Sequence, residues 1–411
     1  MSVLEELLKK HCPDGVEYVP LWSVTIWDKK FNSVDKDKQK TTIKYKYYLA
    51  DELKELVVEN GDVKILTTNI SNLFTLEKLV SNSLSYGEIV CIPWGGNPIV
   101  QYYKGKFITS DNRIATSIDV NKLDNKFLYY VLINKLDLIS SFYRGAGIKH
   151  PDMSKVLDII IPLPPIEVQK EIVRILDTFT KYQDLLNREL ELRKKQYEYY
   201  RDKLLTFNDD FEWKCLGELL QPKGYIRGPF GSALKKDFFV KDGVPVYEQQ
   251  HAIYNKRVFR YFVDCERADK LKRFTVKPYD IIISCSGTIG KISIIMPEDR
   301  IGIINQALLI LRLDLSKVNV KYIKHYLECF PNLIVTSSGG AITNIEKREI
   351  IEKIKIPIPL LKEQERIVKI LDQFDTLCND ITRGLPAEIE LRKKQYEYYR
   401  DKLLTFKEKK K

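Results

Sequence analysis

Several short stretches of this 411-residue chain carry side chains suited to reading a nucleic acid. Gln249-Gln250-His251 and Tyr254-Asn-Lys256-Arg257 combine amides, cations and an aromatic ring. A Gln or Asn amide pairs bidentately with adenine, and an Arg guanidinium with guanine. Arg227, Lys235 and Lys236 flank Gly228-Pro-Phe-Gly231, where the backbone could come close to a phosphate. In the first half Lys104, Lys106, Lys149 and His150 are the counterparts by type. Trp94-Gly-Gly-Asn97-Pro stands where the second half has Ser286-Gly-Thr-Ile-Gly-Lys291. Arg144-Gly-Ala-Gly-Ile-Lys-His150 stands opposite Gly339-Gly-Ala-Ile-Thr343-Asn344. Each residue alone is weak evidence, since an isolated loop lysine is usually a solvated charge. The weight lies in their clustering at corresponding places in two halves.

Catalytic chemistry is not legible. Ser286-Gly-Thr-Ile-Gly-Lys291 lacks the spacing of a phosphate loop, because Ile292 follows the lysine, and reads as a tight turn between strands. There is no G-x-S-x-G elbow and no H-E-x-x-H. The four histidines, His11, His150, His251 and His325, have no metal-ligand spacing. A nuclease-like Pro13-Asp14 with Glu52-Leu-Lys54 is a short string of the kind chance supplies. The expectation is a non-catalytic chain with no metal or cofactor of its own. Seven scattered cysteines without Cys-x-x-Cys argue against a disulfide framework or zinc ribbon. The net charge of +11 permits a polyanionic partner without demanding one. Leu157–Ile166 is too short and too interrupted by proline to span a bilayer, and Met1–Lys10 holds Glu5, Glu6 and Lys9 rather than an apolar signal core. A cytoplasmic protein of two or three domains is expected.

What positions the candidate loops is a repeat. Glu191–Phe207 and Glu390–Phe406 are the same 17-residue string, 199 positions apart. Upstream, Ile161–Phe179 resembles Ile356–Phe374 at an offset of 195. That offset persists at Asp119/Asp314, Lys126/Lys321, Leu132/Leu327 and Gly145/Gly340. It grows by four around Arg383-Gly-Leu-Pro386, which reads as a break. Solenoid repeats are about 20–50 residues long, so a period near 195 describes a duplicated domain with pseudo-twofold character. The 17-mer holds five basic and three acidic residues, so the two copies supply +4 of the +11.

The shared segment predicts a helix. Bulky residues recur at Ile172, Leu176, Phe179, Gln183, Leu186, Leu190, Arg193, Tyr197, Tyr200 and Leu204, in steps of three and four. Glu167–Leu205 contains neither Gly nor Pro, and roughly 40 residues make a rod of about 60 Å. The second copy gives Ile367, Leu371, Phe374, then Ile389, Arg392, Tyr396, Tyr399 and Leu403. Each helix alone would leave its seam in water, so an antiparallel pair is expected. Identity extends to surface positions such as Lys194 and Lys393, which core packing alone would not hold. The exposed face of each copy is therefore a candidate surface for one partner protein, used twice.

The segments before each helix read as mixed α/β. Tyr279–Ser284, Ile292–Met296 and Ile301–Leu313 look like strands, and Tyr322–Val335 like a helix interrupted at Pro331. The first half offers Gly87–Ile92 and Phe107–Val120 as strands and Lys126–Ser140 as a helix. The fold class is thus α+β (mixed α/β), with two globular recognition domains at 1–165 and 208–358. Helical spacers at 166–207 and 359–411 would pack as an antiparallel coiled coil.

Ile356-Pro-Ile-Pro, Gln364–Phe374, Gly384-Leu-Pro-Ala-Glu-Ile, Gln395-Tyr-Glu-Tyr-Tyr-Arg and Ile226-Arg-Gly-Pro-Phe-Gly-Ser-Ala-Leu-Lys-Lys resemble the specificity subunit of Type I restriction-modification enzymes. The first half departs at Leu163-Pro-Pro-Ile and Asn187-Arg-Glu-Leu-Glu-Leu. The resemblance implies a DNA reader in which each variable domain reads one half of a bipartite, asymmetric site on double-stranded DNA. The helices would set the unread gap and dock two modification subunits. Those would bind S-adenosylmethionine and methylate adenine, and ATP- and Mg2+-dependent restriction subunits would join them to cleave DNA. A two-lobed protein–protein scaffold is the alternative, distinguished by the absence of salt-dependent, sequence-selective DNA binding.

Overall fold

A computed structural model describes residues 3–208, 210–336 and 344–409. Ile166–Leu205 is one unbroken 40-residue helix. Its copy is two helices, Leu361–Asn379 and Leu385–Leu403. The interruption falls where the offset changes. Asp380 accepts hydrogen bonds from the Thr382 and Arg383 N–H groups. A Cβ on Gly384 would lie 2.3 Å from the Thr376 carbonyl oxygen, so only glycine fits there.

The chain divides into two units. The first comprises Met1–Asn187 with Ile389–Lys411, and the second Arg188–Glu388. Each therefore contains one variable segment and half of the long helix, joined by most of Leu385–Leu403 in the first unit and by Leu361–Asn379 in the second.

In the first unit six strands order as Thr25–Trp27, Asn112–Ser117, Ser85–Pro93, Gln101–Thr109, Val63–Leu66 and Phe74–Thr75. Pairing is antiparallel except between Val63–Leu66 and Gln101–Thr109. The single strand expected over Phe107–Val120 is two, because Ser110-Asp-Asn turns the chain and Asn112 bonds back to the Leu66 carbonyl. The expected helix over Lys126–Ser140 is Asn125–Asn134 followed by Leu136–Ser141. Phe127, Leu128 and Val131 from it join Ile172 and Leu176 of the long helix in one buried core. Fully burying such a side chain is worth about 1.5–3 kcal/mol, so the helix is held by packing rather than by propensity.

The second unit has an antiparallel four-stranded sheet ordered Leu220–Arg227, Leu308–Leu313, Ile281–Ser284, Ile292–Ile294. Beside it lie three strands ordered Phe262–Val263, Val244–Tyr247, Ile303–Ile304. The single strand expected from Ile301 to Leu313 breaks at Asn305-Gln-Ala307. Ile303–Ile304 runs parallel to Val246–Tyr247, whereas Leu308–Leu313 joins the larger sheet. The predicted helix is Val320–Cys329, with Pro331–Leu333 a separate 3-10 turn.

Candidate DNA-reading surfaces and the helices that carry them

The two units repeat one docking scheme. In the first, Gln169 is fully buried; its carbonyl accepts the Asp124 N–H (2.9 Å) and its amide donates to Lys122 O and Pro164 O (2.7 Å each). In the second, the buried Gln364 accepts the Asn319 N–H (2.8 Å) and donates to Pro359 O (2.8 Å). Asp124 and Asn319 each cap the helix that follows. About two turns further on, Asp177 takes Lys126 Nζ (2.7 Å) and Tyr130 Oη (2.6 Å). Asp372 takes Lys321 Nζ (2.6 Å) and His325 Nε2 (2.8 Å). Burial acts to raise the Asp372 carboxyl, but hydrogen bonds from His325 and Lys321 outweigh it and hold the group at about 2.

The 17-residue string works in both units. Tyr399 stacks on Phe179 (5.5 Å) and Arg392 lies over Tyr182 in the first unit. Tyr200 and Tyr197 stack on Phe374 (5.7 and 6.0 Å), and Arg193 lies near Cys378, in the second. In both, residue numbers rise on one helix as they fall on the other, so each pair is antiparallel. Leu176, Leu186 and Leu371 are buried, Leu190, Leu204, Ile389, Tyr396 and Leu403 half-buried, and Tyr200 and Tyr399 on the same spacing exposed. Lys194 and Lys393 are exposed, as are Leu192 and Tyr199 with their copies Leu391 and Tyr398.

In the first unit, five candidate residues gather at one place. Trp94 packs against His150 (5.1 Å), whose Nδ1 is 2.7 Å from the Trp94 carbonyl. Gly96 N–H donates to Lys149 O, Arg144 pairs with His150 across a short hairpin, and Asn97 is exposed on the same loop. Lys104 and Lys106 are not part of this surface. Both lie within the Gln101–Thr109 strand, and they form ion pairs with Glu88 and Glu77.

Beneath the loop is a buried ion pair that the sequence did not single out. Arg113 is 1 % exposed and Asp28 fully buried, with 3.2 Å between them. Arg113 also reaches Asp111 (2.5 Å) and lies 4.5 Å under the Trp94 ring. Tyr47 donates to Asp28, and burial with that carboxylate pushes its phenol far up, so it stays a donor. The available signal was a charged residue at position 113 inside an apolar strand pattern, with a lone Asp after Trp27.

In the second unit, the strand ends at Arg227, Tyr247, Ser284 and Leu308 bring three loops and one helix start together. The register pairs Arg227 with Leu309, Ser284 with Leu308, and Tyr247 with Ile304. Arg227 lies beside Cys285, whose thiol burial pushes to about 11 against that cation. A Cβ on Gly287 would lie 3.8 Å from Gln249 Nε2, which sets Gln249 against the Ser286–Lys291 turn. Lys235, Lys236 and Lys291 are exposed. Gln250 is tied to Glu248 (3.2 Å).

Three candidates fall elsewhere. His251 is fully buried; its Nδ1 accepts the Glu248 N–H (2.8 Å) and its Nε2 faces Val258 O (3.1 Å). It stacks on Phe259, and burial lowers its pKa, so it is a neutral core residue that presents nothing to a base. Arg257 spends its guanidinium on Asp299, His251 O, Ser293 and Ile294 O, which staples its loop to the sheet. Tyr254 is exposed, but it lines a cleft of about 600 Å3 with Lys321, Lys324 and Asp372, on the side where the domain meets its helix. Lys256 is exposed between them. Thr343 lies outside the described residues, and Asn344 begins the short strand Asn344–Ile345.

The family model described as Type I restriction modification DNA specificity domain matches this chain twice, over residues 30–193 and 208–391. The chain belongs to that family. Its relatives include the specificity subunit of the Type I restriction enzyme EcoR124I/EcoR124II of Escherichia coli, 35% identical over 325 residues, covering 72% of this chain and 75% of that one. The specificity subunit of the MjaVIII enzyme of Methanocaldococcus jannaschii is 25% identical over 325 residues, covering 74% and 76%. The fold matches the crystal structure of a Type I restriction-modification S subunit from M. genitalium, with a TM-score of 0.58 at 16% identity over 95% of this chain and 96% of that one. This specificity chain, like the family, carries DNA-recognition domains. Among its described residues no His, Cys, Asp and Glu are grouped to hold a metal, and no helix is long and apolar enough to cross a membrane.

Proposed function

We propose that this chain is the non-catalytic reading subunit of a Type I restriction-modification complex. One domain, 1–165, reads one half of a bipartite site on double-stranded DNA, and the other, 208–358, reads a different half. The observation that carries this reading is the repeated docking scheme with unlike tips. Gln169 and Gln364 seat the two domains on their helices through matching bonds. The loops beside these mounts differ in their reading side chains: Trp94, Asn97, Arg144 and His150 in one, Arg227, Gln249 and Lys291 in the other. A fixed mount with divergent loops is how one scaffold acquires two specificities.

The helical segments 166–207 and 359–411 would set the unread gap. Their exposed identical faces, with Leu192, Lys194 and Tyr199 in one copy and Leu391, Lys393 and Tyr398 in the other, would each receive one modification subunit. Methyl transfer from S-adenosylmethionine to adenine, and ATP- and Mg2+-dependent cleavage, would belong to the modification and restriction subunits, with no cofactor bound by this chain.

The test is to map methylated adenines in a host expressing the chain with its modification subunit. A two-part motif with an unread gap is expected, and exchanging 208–358 for another family member's segment should change one half only. Methylation without a gapped motif, or a swap that alters both halves, refutes the proposal.

A further inference from the structure

Phe230 is 90% exposed, the highest value for a large apolar side chain among the described residues. Its loop is clamped on both sides. Gly228 N–H donates to Leu308 O (2.9 Å), and a Cβ at Gly228 would lie 1.9 Å from the Asn305 carbonyl oxygen. On the other side Ala233 N–H donates to Phe230 O (2.9 Å), and Leu234 is buried. These anchors hold the backbone that carries the ring. Lys235 and Lys236, five and six residues further along the chain, are exposed, Arg227, three residues before, is half-buried, and a Cβ at Gly231 would be 4.0 Å from the Gln306 amide.

The surroundings select the partner. The core of a protein–protein interface is depleted in lysine. An exposed apolar tip on a loop whose flanking residues are basic is instead the composition of a side chain that enters a base stack while its neighbours hold phosphates. The first unit carries the same combination: Ile148 is 70% exposed on the Arg144–His150 loop, between Gly147 and Lys149.

Resting on the proposed DNA-reading function, we propose that Phe230 is a wedge. It would insert between two bases of the half-site bound by residues 208–358 and unstack that step. Phe230 would then set specificity through the ease with which a step opens, since pyrimidine–purine steps unstack most readily.

The experiment uses the full chain with its modification subunits and a duplex selected from a randomised pool by that complex. A 2-aminopurine is placed in turn at each position of both half-sites, and its fluorescence is read on binding. Apart from the target adenines that the modification subunits extrude for methylation, only a position flanking the wedged step, in one half, should brighten. Phe230→Ala should abolish that signal and weaken binding about 5- to 150-fold, the range produced by losing one aromatic–base stack. Phe230→Leu should retain most of both. The salt dependence of binding should not change in Phe230→Ala, whereas Lys235→Gln should flatten it by about one counterion. Undiminished fluorescence and affinity in Phe230→Ala overturn the wedge. So does a Phe230→Ala chain that no longer assembles with the modification subunits, since Phe230 is then a protein contact. A parent complex that selects no duplex from the pool defeats the DNA-reading proposal itself, a result distinct from either.

Discussion

Replacing Gln364 with Met keeps the length and bulk of the side chain and removes only its polar atoms. Two backbone groups then lose their partners in a fully buried place: the Asn319 N–H and the Pro359 carbonyl. Each buried orphan costs about 1–3 kcal/mol, so the junction should weaken by roughly 2–6 kcal/mol. That is a large share of the ~5–15 kcal/mol that stabilises an ordinary domain. Two units need not unfold together, so the measurement should be local. Hydrogen exchange of the Val320–Cys329 amides should speed up by the corresponding factor, while the Asn125–Asn134 amides keep theirs. Gln169→Met should do the reverse, and by more, because Gln169 makes three such bonds where Gln364 makes two. Unchanged exchange in both helices would refute the idea that these glutamines seat the domains. Equal loss in both helices from either variant would refute their independence.

Three further outcomes follow from the same structure. Arg113→Met should destabilise the first domain by about 3–5 kcal/mol, because it leaves Asp28 charged and buried without its partner; adding Asp28→Asn should recover part of this, as thermal melts would show. The Asp372 carboxyl is held at about 2 against an ordinary 3.8, so its contribution to stability is complete above about pH 4 and disappears as pH falls through 2. Acid titration followed by tyrosine fluorescence should lose that increment in the parent and not in Asp372→Asn. Inserting four residues, about one helical turn, between Leu185 and Glu191 should lengthen the unread gap of the methylated motif and leave both half-sequences intact; an unaltered gap on adenine mapping would reject the ruler.

The sequence by itself disclosed the duplication, the unbroken helix and the place where its copy breaks. Those properties are local or periodic. An identical string 199 residues on, a three-four spacing of bulky residues, and a Gly-Leu-Pro in an offset change are all written along the chain. It also disclosed the loops at Trp94–Asn97 and Gly228–Gly231, because glycine clusters between strand-like runs mark turns. Only the tertiary structure decided which candidates share a surface. His251 and Arg257 sit in a polar, aromatic stretch that reads as a recognition loop, but Phe259 and Tyr247 enclose one, and Asp299 with the Ser293–Ile294 strand consumes the other. Asp28 and Arg113 are 85 positions apart, so no spacing rule joins them, and only the pairing of Thr25–Trp27 with Asn112–Ser117 brings them under Trp94. A side chain's donors are spent or free according to neighbours distant in sequence, and those neighbours are set by sheet register and packing, which a local pattern does not contain.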